Sequence, residues 1–141
     1  MKIYLDTSSL FKLYHNEAGT AILDSFFIDN KITTVYLSEL AKTEFTSAIW
    51  KKVRKNELDE INALEILELF ETDFKKYTFI PIDSLIIEQA RMLLSKYGKH
   101  GLRTLDSIQL STCLEVKANT DKYFTADMLL SNIFELEGLT T

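Results

Sequence analysis

Short apolar runs alternate along this chain with longer stretches of helical periodicity, and this alternation restricts the folds open to it. The runs are rich in β-branched and aromatic residues and lie at Met1–Asp6, Ile32–Leu37, Phe79–Ile82 and Lys122–Phe124. Strands that are separated by helical stretches of ten or more residues pair in parallel through crossover connections. The sequence therefore predicts a layered α/β fold with a parallel sheet.

Composition limits the function classes. The chain has 141 residues, a net charge of −5, 46% hydrophobic residues and one cysteine, and we expect one domain over residues 1–141. It shows no signal-like N-terminus and no apolar run near 18 residues, so we expect a reduced, cytoplasmic protein without a membrane partner. The acidic balance argues against a general nucleic-acid coat, although it leaves room for a local basic patch.

Four acids occupy positions where α/β folds place their functional groups. Asp6 and Asp127 follow predicted strands, Asp106 lies near the start of a helix, and Glu44 lies in the helix after the second strand. Side chains at the carboxyl ends of neighbouring parallel strands share one crevice. Converging carboxylates repel one another unless protons or cations compensate them, and sites rich in oxygen suit Mg²⁺ or Mn²⁺. Such ions promote phosphodiester hydrolysis.

A simpler interpretation exists for each acid alone. Aspartates at strand ends often cap the helix that follows, and other acids are simply solvated. The spacing of the four acids along the chain does not establish that they converge.

Four segments resemble, in order, the motifs of the PIN-domain ribonucleases. In size and motif set the chain is most similar to the VapC-type toxins of toxin–antitoxin pairs. The matching segments are Ile3-Tyr4-Leu5-Asp6-Thr7-Ser8, Ser38-Glu39-Leu40 with Glu44, Leu102-Arg103-Thr104-Leu105-Asp106-Ser107-Ile108-Gln109-Leu110, and Phe124-Thr125-Ala126-Asp127.

The resemblance implies a fold and a metal site. The fold is a three-layer α/β/α sandwich around a parallel sheet of four to five strands. In it, Asp6, Glu44, Asp106 and Asp127 surround one or two Mg²⁺ or Mn²⁺ ions, and the protein is an endoribonuclease that cleaves RNA by metal-assisted hydrolysis. Asp121 is an alternative to Asp127 as the fourth acid.

The resemblance also implies supporting residues and partners. The hydroxyl groups of Thr7 and Thr125 orient the neighbouring carboxylates, and Ser8 is a third candidate for that role. The implied partners are an RNA substrate and a cognate antitoxin protein, with assembly as a homodimer or a toxin–antitoxin hetero-oligomer.

Basic residues follow Glu44 on the same predicted helix. Lys51, Lys52 and Lys55 belong to the densest basic cluster of the sequence, and Glu44, Lys51 and Lys55 share one helix face. This pattern favours a surface that binds RNA phosphates, with a solvated helix face as the alternative. Arg103 is a separate candidate that either grips phosphate or pairs with a site carboxylate.

Two other functions compete with this interpretation. Phosphotransfer through an aspartate nucleophile usually needs a second aspartate two residues after the first, where this chain has Ser8. A PIN-like domain that serves only as an inactive binding or scaffold module is the main alternative to an enzyme. Nucleotide-binding folds are disfavoured because the chain has no glycine-rich phosphate loop.

Overall fold

A four-stranded parallel sheet forms the centre of the protein. The computed structural model describes residues 1–141, and its strands are β1 (Lys2–Leu5), β2 (Thr34–Ser38), β3 (Thr78–Ile80) and β4 (Lys122–Phe124). Their spatial order is β3-β2-β1-β4. In register, Ile3 pairs with Val35 of β2 and with Lys122 of β4. The α/β class with a parallel sheet is confirmed.

Seven α-helices connect and cover the strands. None of them is long and apolar enough to cross a membrane. Short 3-10 turns occupy residues 73–76, 98–100 and 117–119. The helices are α1 (Thr7–Phe11), α2 (Thr20–Asp29), α3 (Ala41–Arg54), α4 (Glu60–Thr72), α5 (Ser84–Tyr97), α6 (Thr104–Glu115) and α7 (Met128–Leu136).

The alternation of side chains along β1 divides the core into two halves. Ile3 and Leu5 point to one face of the sheet and pack with buried residues of β2 and of α1 to α4. Tyr4 points to the other face and packs with residues of β4, α5, α6 and α7. The protein is therefore the expected α/β/α sandwich, with the sheet as its middle layer.

Two predicted boundaries differ from the structure around the third strand. The sequence predicts a strand over Phe79–Ile82 that contains Pro81, whereas β3 ends at Ile80. Proline lacks the N–H that a further sheet hydrogen bond requires. The sequence also extends the preceding helix to Tyr77, but that helix ends at Thr72, where a 3-10 turn leads into the strand. The proline also favours an edge position for this strand, and β3 does lie at the edge of the sheet.

The starts of two helices also differ. The sequence predicts Thr7-Ser8-Ser9 as the entrance to a helix from Leu10 to about Asn16, whereas the first helix is Thr7–Phe11. It begins directly after the strand because the Asp6 carboxylate accepts a hydrogen bond from the N–H of Ser9 and caps it. The sequence predicts Ser38 as the cap of the third helix, but Ser38 is the last residue of β2, and Leu40 holds the cap position instead. The Ser38 hydroxyl still accepts a hydrogen bond from the N–H of Leu40.

Helix α6 buries a different face from the one its sequence suggests. The apolar period places Leu105, Ile108, Leu114 and Val116 in the buried set. Val116 is buried, but Leu105 is exposed, and the fully buried positions include Leu110 and Cys113. The helix packs against α5 and lines the Tyr4 side of the core, so polar residues are buried with the apolar ones. The 3.6-residue apolar period does not predict the buried face of α6 because the helix is covered on more than one side.

The aromatic cluster beneath the Ile3 face gives a test of this packing. Phe70 is 2% exposed and lies against Phe45 and Phe74, whereas its neighbour Leu69 is 52% exposed. We expect Phe70→Ala to lower the free energy of unfolding by about 3–5 kcal/mol, because it leaves a cavity in the core. Leu69→Ala is the matched control and should cost less than about 1 kcal/mol. Urea denaturation of both variants checks this, and equal costs would contradict a core built around Phe70.

Candidate active site

A small polar cavity lies at the carboxyl end of the sheet. Its volume is about 120 Å³, and all four acids singled out in the sequence line it. They arrive from four separate segments: after β1, from α3, from the first turn of α6, and after β4. The full lining is Asp6, Thr7, Ser8, Glu44, Arg103, Asp106, Gln109 and Asp127.

Asp6 is the most buried of these acids. Its side chain accepts hydrogen bonds from the Ser9 N–H at 2.9 Å, from the Ser8 hydroxyl at 2.7 Å and from the Thr125 hydroxyl at 2.5 Å. The residue is only 4% exposed, and burial raises its pKa to about 6, although the hydrogen bonds favour the ionised form and act in the opposite direction. The Asp6 carboxyl is therefore mostly ionised at neutral pH, although its burial makes the ionised form less favourable than in water.

Glu44 is held by two donors on one oxygen. The Thr7 hydroxyl donates to Oε1 at 2.7 Å, and the Gln109 side-chain amide donates to the same atom at 2.8 Å. The second oxygen, Oε2, receives no hydrogen bond from the protein. Thr7, Ser8 and Thr125, which the family resemblance suggested as orienting hydroxyls, thus each donate to a cavity carboxylate.

Gln109 is a residue that sequence reasoning overlooked. It is 2% exposed, and its Oε1 accepts a hydrogen bond from the buried Tyr4 hydroxyl, which fixes the direction of the amide. Its Nε2 then faces Glu44 and Thr7. Gln109 lies one turn after Asp106, in a helix that the fold must bury, and a large polar residue there could have indicated a role in the site. It was overlooked because the apolar period of α6 predicts a different buried face.

Arg103 bridges the other two acids. Its Nε donates to Oδ2 of Asp106 at 3.0 Å, and its Nη2 donates to Oδ2 of Asp127 at 3.1 Å. The Asp127 side chain also accepts the N–H of Leu130 at 2.8 Å and caps α7. Of the two roles considered for Arg103, the structure shows pairing with carboxylates.

Asp121 lies away from the cavity. Its carboxylate accepts the N–H of Lys2 at 2.7 Å, at the beginning of β1 and hence at the amino end of the strands, whereas Asp6 follows the carboxyl end of β1. The structure thus gathers Asp127, rather than Asp121, with the other three acids.

The carboxylates are arranged around hydroxyls, an amide and a guanidinium. No group of three or more His, Cys, Asp or Glu side chains is placed so that it could hold a metal ion directly. The carboxylates and hydroxyls of the cavity nonetheless offer only oxygen ligands, which is the chemistry that Mg²⁺ and Mn²⁺ select.

A larger cleft adjoins the acid cavity. Its volume is about 390 Å³, and it shares Thr7, Ser8 and Glu44 with the cavity. Lys51, Lys52 and Lys55 line it along one side of α3, together with two acids, Glu17 and Glu57. Lys52 forms an ion pair with Glu57 at 2.8 Å, while Lys51 and Lys55 form no ion pair. The basic cluster thus faces a cleft that opens onto the acids.

Sequence comparison gives one family match. The family model described as PIN domain matches residues 3–133. A search of curated proteins returns no match.

Comparison with solved structures gives several similar folds. The chain is similar to VapC20 of Mycobacterium tuberculosis, described as a sarcin-ricin loop cleaving toxin, with 14% identity and a TM-score of 0.71 over 93% of this chain and 94% of that chain. It is also similar to VapBC2 of Rickettsia felis bound to a promoter DNA fragment, with 13% identity and a TM-score of 0.62 over 99% and 93% of the two chains. VapBC-1 of nontypeable Haemophilus influenzae gives 12% identity and a TM-score of 0.61 over 99% and 96%. These likenesses show a shared fold.

The raised pKa of Asp6 predicts how stability depends on pH. The pKa is about 6 in the folded state against 3.8 for an unperturbed aspartate, so the folded protein binds more protons between these values. The stability associated with the protonated carboxyl is fully present below pH 3.8 and is lost as the pH rises through 6. In EDTA, we expect Asp6→Asn to gain on the order of 2 kcal/mol over wild type between about pH 4 and pH 8. If the free energy of unfolding depends on pH in the same way in both proteins, burial does not raise the pKa of Asp6.

The hydrogen bonds of Gln109 predict a non-additive mutant cycle. Gln109→Leu leaves the Tyr4 hydroxyl without its acceptor, so we expect a loss of about 1–3 kcal/mol in the free energy of unfolding. Tyr4→Phe removes that orphaned hydroxyl, so the double variant should cost less than the sum of the single ones.

Gln89→Leu is the control for this cycle. Gln89 accepts a hydrogen bond from Ser111, which also donates to the Ile86 carbonyl, so the free energy of unfolding should change little. Additive costs in the Tyr4 and Gln109 cycle, measured by urea denaturation, would contradict a hydrogen bond between these two side chains.

Proposed function

Because this chain belongs to the PIN domain family, we propose that it is a metal-dependent endoribonuclease and the toxin of a VapBC-type toxin–antitoxin pair. The observation that carries the proposal is the convergence of Asp6, Glu44, Asp106 and Asp127 in one cavity. Residues 1–141 act as one nuclease domain under this proposal, and the site of RNA cleavage is the cytoplasm.

The donor set fits Mg²⁺ or Mn²⁺. Glu44 keeps Oε2 free of hydrogen bonds, and Asp106 engages the protein through Oδ2 only, so each has an oxygen available to an ion. Asp6, Glu44 and Asp106 would hold one or two such ions, and Asp127 would complete the set. When bound, the ion supplies a water of lowered pKa and neutralises charge on the phosphodiester.

The remaining residues of the site position these acids. The hydroxyls of Ser8 and Thr125 hold the two oxygens of Asp6, and Thr7 and Gln109 hold Glu44 by its Oε1. Fixing a ligand's orientation in this way lowers the entropy cost of assembling the site.

The cleft along α3 supports RNA as the substrate. Lys51 and Lys55 have no acidic partner, and the cleft that they line shares Glu44 and Thr7 with the acid cavity. A backbone that lies along this cleft would bring a phosphodiester to the acids. A cognate antitoxin is the proposed protein partner, in a homodimer or a hetero-oligomer, since two similar structures are VapBC proteins.

One observation favours the alternative of an inactive PIN-like binding module. Arg103 compensates two of the acids without any metal. The two functions differ in whether Mn²⁺ binds at all, so calorimetric titration of Mn²⁺ into the protein separates them.

Substitutions of the acids test the proposed chemistry. We expect Asp6→Asn, Asp106→Asn and Asp127→Asn each to reduce RNA cleavage in Mg²⁺ by at least about 100-fold, because each removes a charge that holds the ion. Asp121→Asn is the matched control, since Asp121 lies at the amino end of the strands, away from the cavity, and it should keep wild-type cleavage. A fluorescent RNA substrate and an EDTA blank provide the measurement. Full cleavage by Asp6→Asn would exclude this site.

Charge reversal tests the cleft. We expect Lys51→Glu with Lys55→Glu to weaken RNA binding and to lower the slope of log affinity against log salt by about 0.7 for each phosphate that is no longer neutralised. Mn²⁺ binding should persist. The control is Lys31→Glu with Lys75→Glu, which changes the net charge equally at exposed positions preceding β2 and β3. If both pairs weaken binding equally, the α3 cleft is not the RNA surface.

A further inference from the structure

Arg103 is the only basic side chain that contacts any of the four cavity acids. It stands at the N-cap position of α6, and its guanidinium reaches Asp106 on the same helix and Asp127 after β4. The two carboxylates come from the first turn of α6 and from the segment between β4 and α7, and both line the cavity. One guanidinium therefore neutralises a pair of acids that the fold forces together.

This bridge is placed where it can be broken. The Arg103 side chain is 70% exposed, whereas those of Asp106 and Asp127 are 20% and 32% exposed. Exposed ion pairs contribute little stability, and a released guanidinium is solvated at once. Asp106 and Asp127 are less exposed, so their negative charges still require a nearby cation when the Arg103 guanidinium moves away.

We propose that Arg103 is an internal counter-ion that a divalent cation must displace in order to bind Asp106 and Asp127. This inference rests on the proposed function, since it concerns the same cavity. The guanidinium holds Oδ2 of each aspartate, and Oδ1 of Asp127 already accepts the N–H of Leu130, so an ion that binds Asp127 must take the oxygen that Arg103 holds. Arg103 thus lowers the metal affinity of the site below the value that its carboxylates alone would give, and it holds the acids in place while no ion is bound.

The displaced side chain stays near the site. Arg103 also lines an open cleft of about 460 Å³ with Glu44, Thr104, Leu105 and Asp106, so the guanidinium can leave the carboxylates without entering the core. No backbone rearrangement is required for the exchange, because the contacts to both acids are made by the tip of a long, exposed side chain.

Metal affinity tests the competition directly. We compare Mn²⁺ binding to the full chain of wild type, Arg103→Gln and Arg91→Gln by electron paramagnetic resonance of free Mn²⁺. Arg91 is the matched control: it is also 70% exposed and pairs with Glu88 three residues before it. We expect Arg103→Gln to bind Mn²⁺ roughly threefold to tenfold more tightly than wild type, and Arg91→Gln to match wild type.

The other outcomes overturn the inference in distinguishable ways. Unchanged or weaker binding by Arg103→Gln would show that Arg103 does not compete with the ion. If both variants bind Mn²⁺ more tightly by the same factor, the change in net charge alone explains the effect and Arg103 has no specific role. Failure of all three proteins, wild type included, to bind Mn²⁺ would instead remove the proposed metal-dependent function, and the inference with it.

Displacement has a second readout that does not involve activity. The chain contains three arginines, Arg54, Arg91 and Arg103, so the ¹H–¹⁵N spectrum of arginine Nε–H groups is simple, and Arg103→Gln assigns the relevant signal. We expect Mg²⁺ to move the Arg103 signal towards the position of free arginine while the other two stay. Saturation with Mg²⁺ without movement of that signal would contradict displacement.

Discussion

Carboxylates that are brought close together repel one another, and the carboxyl end of this sheet brings four of them to one cavity. The surrounding polar groups compensate that repulsion. Three hydroxyls, from Thr7, Ser8 and Thr125, donate to Asp6 or Glu44, and a buried amide joins them. Arg103 supplies the one positive charge. Burial adds a separate cost, because loss of solvation raises the pKa of Asp6 to about 6.

The same aspartates build the fold and the cavity. Asp6 directly follows β1 and caps α1, and Asp127 follows β4 after two further residues and caps α7. Each therefore starts a helix and directs a carboxylate into the cavity at the carboxyl end of the sheet. The capping interpretation and the site interpretation of the sequence are therefore compatible. A helix that begins after a strand needs an acceptor for its free N–H groups, and one oxygen of the aspartate supplies it. The second oxygen accepts the Thr125 hydroxyl in Asp6 and the Arg103 guanidinium in Asp127.

The sequence predicted the sheet, the layers and the position of Asp6 and Asp127, because a parallel sheet fixes where its strands end. It did not predict Gln109, since α6 is buried on more than one side and its apolar period is lost. The direction taken by Arg103 was also open, because a long side chain at a helix start reaches several partners and only the tertiary fold selects among them. That the four acids bind metal and cleave RNA stays a prediction, made from the family resemblance and from the chemistry of their oxygens.

The most direct test of the account is the location of a bound ion in a crystal. Crystals soaked in Mn²⁺ and measured at the manganese absorption edge should show an anomalous peak in the cavity, between Asp6, Glu44 and Asp106, with the Arg103 guanidinium moved off Asp106 and Asp127. A fully soaked crystal with no peak in the cavity, and with Arg103 still bridging the two aspartates, would contradict the claim that these carboxylates form a metal site.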